Sequence, residues 1–122
     1  MIKVLLVDDD PEMRDCVGGF LKSRGFKIRC ANAGEDAIKM VKEDNPDSVL
    51  LDIHLPYGIS GIDVLKKIKE IDPNIKVLMV TGFIDHEKEN ECMKAGASAY
   101  IMKPINFPEL DATIKNITGK KC

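Results

Sequence analysis

Two kinds of hydrophobic pattern alternate along the chain. Residues 2–7, 48–51 and 76–80 are short runs rich in Val, Ile and Leu, nearly unbroken by polar side chains. Such runs suit strands buried on both faces of a parallel sheet. Residues 26–31 read differently, because Phe26, Ile28 and Cys30 alternate with Lys27 and Arg29. Residues 97–102 also alternate, with polar Ser98 and Tyr100 on one parity. Strands wet on one side belong at sheet edges.

Helical periodicity fills the gaps. Asp10 reads as an N-cap and Pro11 as the first helical residue, where a missing N–H costs nothing. Met13, Val17, Phe20 and Leu21 then form one apolar stripe, and Gly25 is a plausible stop. Residues 33–43 repeat the theme with Ala37, Ile38 and Val41. Ser60 with Asp63 resembles a capping box ahead of Ile62, Leu65 and Ile68. Residues 85–94 are mostly charged, with Cys92 and Met93 as their main apolar anchors. Asn106 with Glu109 is a further cap, followed at helical spacing by Phe107, Leu110, Ile114 and Ile117.

The sum is strand–helix repeated five times with short connections. That predicts a single α/β domain over residues 1–122, a doubly wound parallel sheet with helices on both faces. The three apolar strands should be central and the two alternating ones edges. Right-handed crossovers then favour the flavodoxin-like order 2-1-3-4-5, with ligands bound beyond the carboxyl ends of strands one and three. Size scaling gives roughly 6,500 Å² of folded surface against about 19,600 Å² extended, so a core without staples is affordable.

Composition narrows the function. Lys and Arg number 18 against 20 Asp and Glu, a net charge of −2, which argues against direct nucleic-acid binding. No uninterrupted apolar run exceeds four residues, so neither a transmembrane helix nor a signal-peptide core is expected, and the chain should stay in the cytoplasm away from membranes. The four cysteines, Cys16, Cys30, Cys92 and Cys122, lack C-x-x-C spacing. Cys16, Cys30 and Cys92 are expected as small core or half-buried side chains.

The candidate chemistry sits at the strand ends. Strand one ends in Asp8-Asp9-Asp10, strand three in Asp52, strand four in Thr81, and Lys103-Pro104 follows strand five. The order 2-1-3-4-5 brings these to one rim. Two carboxylates about 4 Å apart repel by roughly 4 kcal/mol at an effective dielectric near 20. A convergence of Asp8, Asp9 and Asp52 therefore either raises pKa values or holds a cation, and hard oxygen ligands suit Mg²⁺ or Mn²⁺. A metal-held carboxylate beside Lys103 is arranged for an anionic phosphoryl group. The metal and Lys103 would neutralise its oxygens, Thr81 would donate a hydrogen bond, and one Asp would attack.

Val7-Asp8-Asp9-Asp10-Pro11, Leu51-Asp52-Ile53-His54-Leu55-Pro56, Val80-Thr81-Gly82, Ala95-Gly96-Ala97 and Tyr100-Ile101-Met102-Lys103-Pro104 together resemble the CheY-like receiver domain of two-component response regulators. The resemblance covers nearly the whole chain. It implies a phosphorelay switch rather than a turnover enzyme, with Asp52 as phosphoacceptor for a histidine kinase or histidine phosphotransfer protein. It implies Mg²⁺ held by Asp9, Asp52 and the backbone carbonyl of His54, with Asp8 acting through water. Thr81 and Lys103 would contact the phosphoryl oxygens, Lys103-Pro104 would be cis, and Tyr100 would turn inward as the aromatic switch. The fourth helix, fifth strand and fifth helix would form the face that meets a downstream effector, or a second copy in a phosphorylation-dependent homodimer.

One departure stands out: Pro56 and Gly61 enclose four residues where most receivers have three. A surface loop absorbs one residue at little cost, although kinase docking or water access could change. Phe83 and His54, each two residues past a site residue, are placed to influence the lifetime of the phosphoryl group. Two rivals remain. A metal-dependent phosphohydrolase with an Asp nucleophile would need a second carboxylate where His54 stands. A receiver-like interaction module without phosphorylation would have no use for an intact Asp8, Asp9, Asp52, Thr81 and Lys103 set.

Overall fold

A computed structural model describes residues 1–55 and 58–120, so Pro56, Tyr57, Lys121 and Cys122 lie outside the described residues. The elements run β1 (Lys3–Val7), α1 (Pro11–Ser23), β2 (Lys27–Ala31), α2 (Gly34–Asp44), β3 (Ser48–Asp52), α3 (Gly61–Ile71), β4 (Lys76–Thr81), α4 (His86–Lys94), β5 (Ala99–Met102) and α5 (Phe107–Thr118). All pairings are parallel and the sheet order is β2-β1-β3-β4-β5. The apolar runs occupy the centre and the alternating ones the edges, as their patterns require.

Strand periodicity divides the core into two layers. Leu5, Val7, Val49, Leu51, Val77 and Met79 face α2, α3 and α4, whose Ala37, Leu65 and Cys92 pack on them. Val4, Leu6, Leu50, Leu78 and Val80 face α1 and α5, through Val17, Leu21, Leu110 and Ile114. The exposed surface, 6509 Å², matches what size scaling gives for the mass.

Local chemistry sets the helix ends. Asp10 accepts from the Glu12 N–H at 3.0 Å, Ser60 from Asp63 at 3.2 Å and Asn106 from Glu109 at 3.0 Å. Gly25, at φ 95°, closes α1 while the Phe26 N–H returns to the Leu21 carbonyl at 3.1 Å. Phe26 is therefore spent on the helix end, and β2 begins one residue later than its pattern suggests. β5 is shortened for a similar reason: the Ala97 N–H closes α4 on the Cys92 carbonyl, and pairing starts at Ala99.

Two cysteines depart from expectation. Cys92 is buried, but Cys16 and Cys30 are exposed. Cys16 lies away from the Val17–Gly18–Leu21 face that α1 buries, and Cys30 sits on the edge strand β2. The α1–α5 layer is further tied by Asp111, a buried carboxylate 3.0 Å from both Arg24 and Lys115. Burial pushes this carboxyl up, but the Lys115 and Arg24 partners outweigh it and hold it below its ordinary value. By contrast α4 buries only Cys92, leaving it the most thinly anchored helix.

Candidate functional site

β1 hands the chain to α1 on one face of the sheet and β3 hands it to α3 on the other. The adjacent carboxyl ends of β1 and β3 therefore flank a crevice at the point where the chain's crossovers change face. Val7 pairs with Leu51, and Asp8 and Asp52 are the next residues of their chains. Oxygen atoms of Asp8, Asp9 and Asp52 all lie within 4.8 Å of one another. Asp8 and Asp52 are each only 7% exposed, whereas Asp9 is open to solvent.

Lys103 answers this negative charge. Its Nζ is 3.5 Å from Asp8 Oδ2 and 3.6 Å from Asp52 Oδ2. Its main-chain N–H donates to the Thr81 carbonyl at 2.8 Å, which locks the end of β5 to the end of β4. The Lys103-Pro104 bond is cis. One ammonium for three carboxylates leaves a net negative, oxygen-lined site with one solvent-facing member. Such a donor set fits a small divalent cation that keeps some of its water.

Burial pushes the Asp52 carboxyl above its ordinary value. The His54 N–H bond and Lys103 pull it down, the Asp8 charge pushes it up, and the net direction is upward. A raised carboxyl contributes stability that is present below the unfolded pKa, about 3.9, and lost as pH rises through its folded value. The metal-free Asp52→Asn variant is therefore expected to melt higher than wild type near pH 7, with the gap closing toward pH 3. Thermal unfolding across that range in the presence of a chelator checks it.

The remaining predicted residues reach the same rim. The His54 N–H donates to Asp52 Oδ1 at 2.9 Å, so the backbone of residue 54 runs beside the acidic centre. Thr81 is 1% exposed and its Oγ1 accepts from the Phe83 N–H at 3.1 Å. Tyr100 is half-buried against the α2–α3–α4 layer. Burial raises its phenol, Cys92 and Asp85 add to the shift, and the Thr81 side chain opposes it. Phe83 stands 67% exposed, with its ring edge-on to that of His54 at 5.3 Å between centroids.

Three contributors escaped sequence reasoning. Gly61 brings α3 against β3 so closely that its N–H reaches the Ile53 carbonyl at 3.2 Å. Glu35 accepts from the Ile59 N–H at 3.2 Å, and Ile59 packs on the core, so the part of the lengthened loop that follows residue 57 is fastened to the start of α2. Arg14 donates from Nη1 to the Asp8 carbonyl at 2.7 Å. Its sequence signal was a charge on the core-facing stripe of α1, beside Val17 and Leu21.

Fold and site together define a flavodoxin-like α/β protein with an acidic centre at its topological switch point. The family model described as the response regulator receiver domain matches residues 4–115, and the chain belongs to that family. It is thus a receiver domain of two-component response regulators, which are phosphorylation-activated switches. A cyclic di-GMP phosphodiesterase of Thermotoga maritima is 42% identical over 104 residues, covering 85% of this chain and 27% of that protein. Sporulation initiation phosphotransferase F of Bacillus subtilis is 33% identical over 113 residues, covering 93% of this chain and 90% of that one. A CheY-like receiver domain from Methanospirillum hungatei JF-1 superposes with a TM-score of 0.93 at 31% identity, covering 98% and 94% of the two chains. The chain spans about a quarter of the length of several curated relatives it matches. Among the described residues no helix is long and apolar enough to cross a membrane.

Proposed function

We propose that residues 1–122 act as one receiver unit in which Asp52 accepts the phosphoryl group, and that the unit is a switch rather than a turnover enzyme. The observation that carries this is the gathering of Asp8, Asp9 and Asp52 oxygens within 4.8 Å with Lys103 alongside. An Asp52 oxygen forms a bond to phosphorus while the donor's imidazole nitrogen departs with the electron pair of the broken N–P bond and takes up a proton. The donor is a cytoplasmic histidine kinase or histidine phosphotransfer protein. Asp9, Asp52 and the His54 carbonyl hold Mg²⁺, with Mn²⁺ able to substitute, and Asp8 acts through water. The ion supplies neutralising charge for the transferring oxygens. Lys103 leaves its carboxylate partners to pair with the new phosphoryl group, and Thr81 gives up Phe83 to donate its hydroxyl there.

The released Thr81 opens space beside Tyr100, whose ring turns inward. α4 follows readily, because its apolar anchorage is thin. The α4–β5–α5 face then presents itself to an effector or to a second copy of the chain. Exposed Phe83 and His54 stand over the approach to Asp52 and shield its acyl phosphate. Phe83→Ala is expected to speed loss of the phosphoryl group several-fold, measured as the decay of the adduct. An unchanged decay rate removes Phe83 from this role.

Acetyl phosphate tests the whole reading. With Mg²⁺ the chain should gain about 80 Da once, as an acid-stable, base-labile adduct. Continuous phosphate release without a stable adduct points instead to a hydrolase, and no gain at all points to an unphosphorylated interaction module.

A further inference from the structure

Arg14 is the charged residue beside the acidic centre that the receiver reading leaves idle. It sits in the first turn of α1, on the face that buries Val17, Gly18 and Leu21, and it is half-buried there. Its Nη1 meets the Asp8 carbonyl at 2.7 Å, the short length of a charge-assisted bond. Asp8 is buried and lies one residue past the last β1 register pairs, so this carbonyl has left the ladder behind. The rest of Asp8 is equally constrained. Its N–H donates to the Ala31 carbonyl at 3.1 Å, and its Oδ1 accepts the Asp10 N–H at 2.9 Å. Arg14, Asp8 and Asp52 also share the wall of a small cavity beneath the site.

We propose that Arg14 is a positioning residue for the acidic centre. It fixes the peptide between Asp8 and Asp9, and with it the direction in which both carboxylates present their oxygens to a divalent cation. The inference rests on the metal-holding role given to these residues above. The two parts a guanidinium could play here have opposite signs. As a bare positive charge, Arg14 repels the cation, and deleting it tightens binding. As a positioning group it preorganises the ligands, and deleting it loosens binding by about tenfold, the usual scale for groups that orient metal ligands.

Calorimetric titration of the full chain with Mg²⁺ separates them, paired with amide exchange of the metal-free protein. Arg14→Ala is expected to weaken Mg²⁺ binding about tenfold and to accelerate exchange of the Asp10 amide. Arg14→Lys, which keeps a donor on a long stem, should recover most of both even if the alanine variant proves too unstable to titrate. Equal or tighter Mg²⁺ binding in Arg14→Ala overturns the proposal, as does unchanged Asp10 exchange. A wild-type chain that ignores Mg²⁺ sinks the metal-holding role itself, and the exchange measurement still decides whether Arg14 holds Asp8.

Discussion

Replacement of Asp52 by Ala is expected to leave a folded chain that gains no mass from acetyl phosphate, a fall of at least about a thousandfold in phosphorylation rate. The expectation follows from position. Asp52 is the last residue of β3 and is almost fully buried, with one oxygen held by the His54 N–H and the other facing Lys103. Asp8 shares the Lys103 ammonium through Oδ2, but its Oδ1 is engaged by the Asp10 N–H, and solvent-exposed Asp9 has no ion pair with Lys103 among the described residues. Neither is placed to substitute as acceptor. Folding should not suffer, because the change removes a carboxylate that burial and Asp8 already disfavour. Intact mass and circular dichroism of the variant report the two halves of the prediction. An adduct that survives the substitution would move the acceptor elsewhere.

Gly61→Ala should produce the largest loss of stability. A Cβ at this position would lie 2.5 Å from the Asp52 carbonyl oxygen, 2.7 Å from Ile53 Cα and 2.8 Å from the Ile53 carbonyl oxygen. All three are backbone atoms of the strand end that carries the site, so none can rotate away. Either α3 lifts from β3 or the end of β3 shifts. Overpacking of this kind costs about 2–3 kcal/mol, or roughly a 10 °C lower melting temperature for a domain of this size. Weaker Mg²⁺ binding should accompany it, since Asp52 and His54 move with that backbone. Gly19→Ala is the matched control. It lies inside α1 with nothing within 4 Å of its added methyl, and should be neutral or gain about 0.5–1 kcal/mol. Equal melting of the two variants would contradict the close approach of α3 to β3.

The contrast between these glycines bears on what a sequence can reveal. The strand order was legible because burial on two faces leaves unbroken Val-Leu runs, while edge strands such as Lys27–Ala31 keep their charges. The acidic rim was legible because parallel strands all end on one side, so Asp8, Asp52, Thr81 and Lys103 needed only the strand order to converge. Helix starts followed from Asp10, Ser60 and Asn106, since capping is local chemistry. Contacts between elements were not legible. Nothing local distinguishes Gly61, jammed against β3, from Gly19 in open space. The exposure of Cys16 and Cys30 depends on which side of α1 meets β2, and the fastening of Ile59 by Glu35 joins residues that only folding brings together. Arg14 lay between. Its charge on a core-facing stripe was visible, and its partner carbonyl was not.

The sharpest single measurement is reductive trapping of the phosphorylated chain. Borohydride converts an acyl phosphate on an aspartate to homoserine, and peptide mass mapping then locates it. After acetyl phosphate and Mg²⁺, the converted residue should be at position 52 alone, and chelation of the metal should abolish the conversion. Conversion at Asp8 or Asp9, or conversion indifferent to chelation, would contradict the assignment of this acidic centre as a metal-assisted phosphoacceptor.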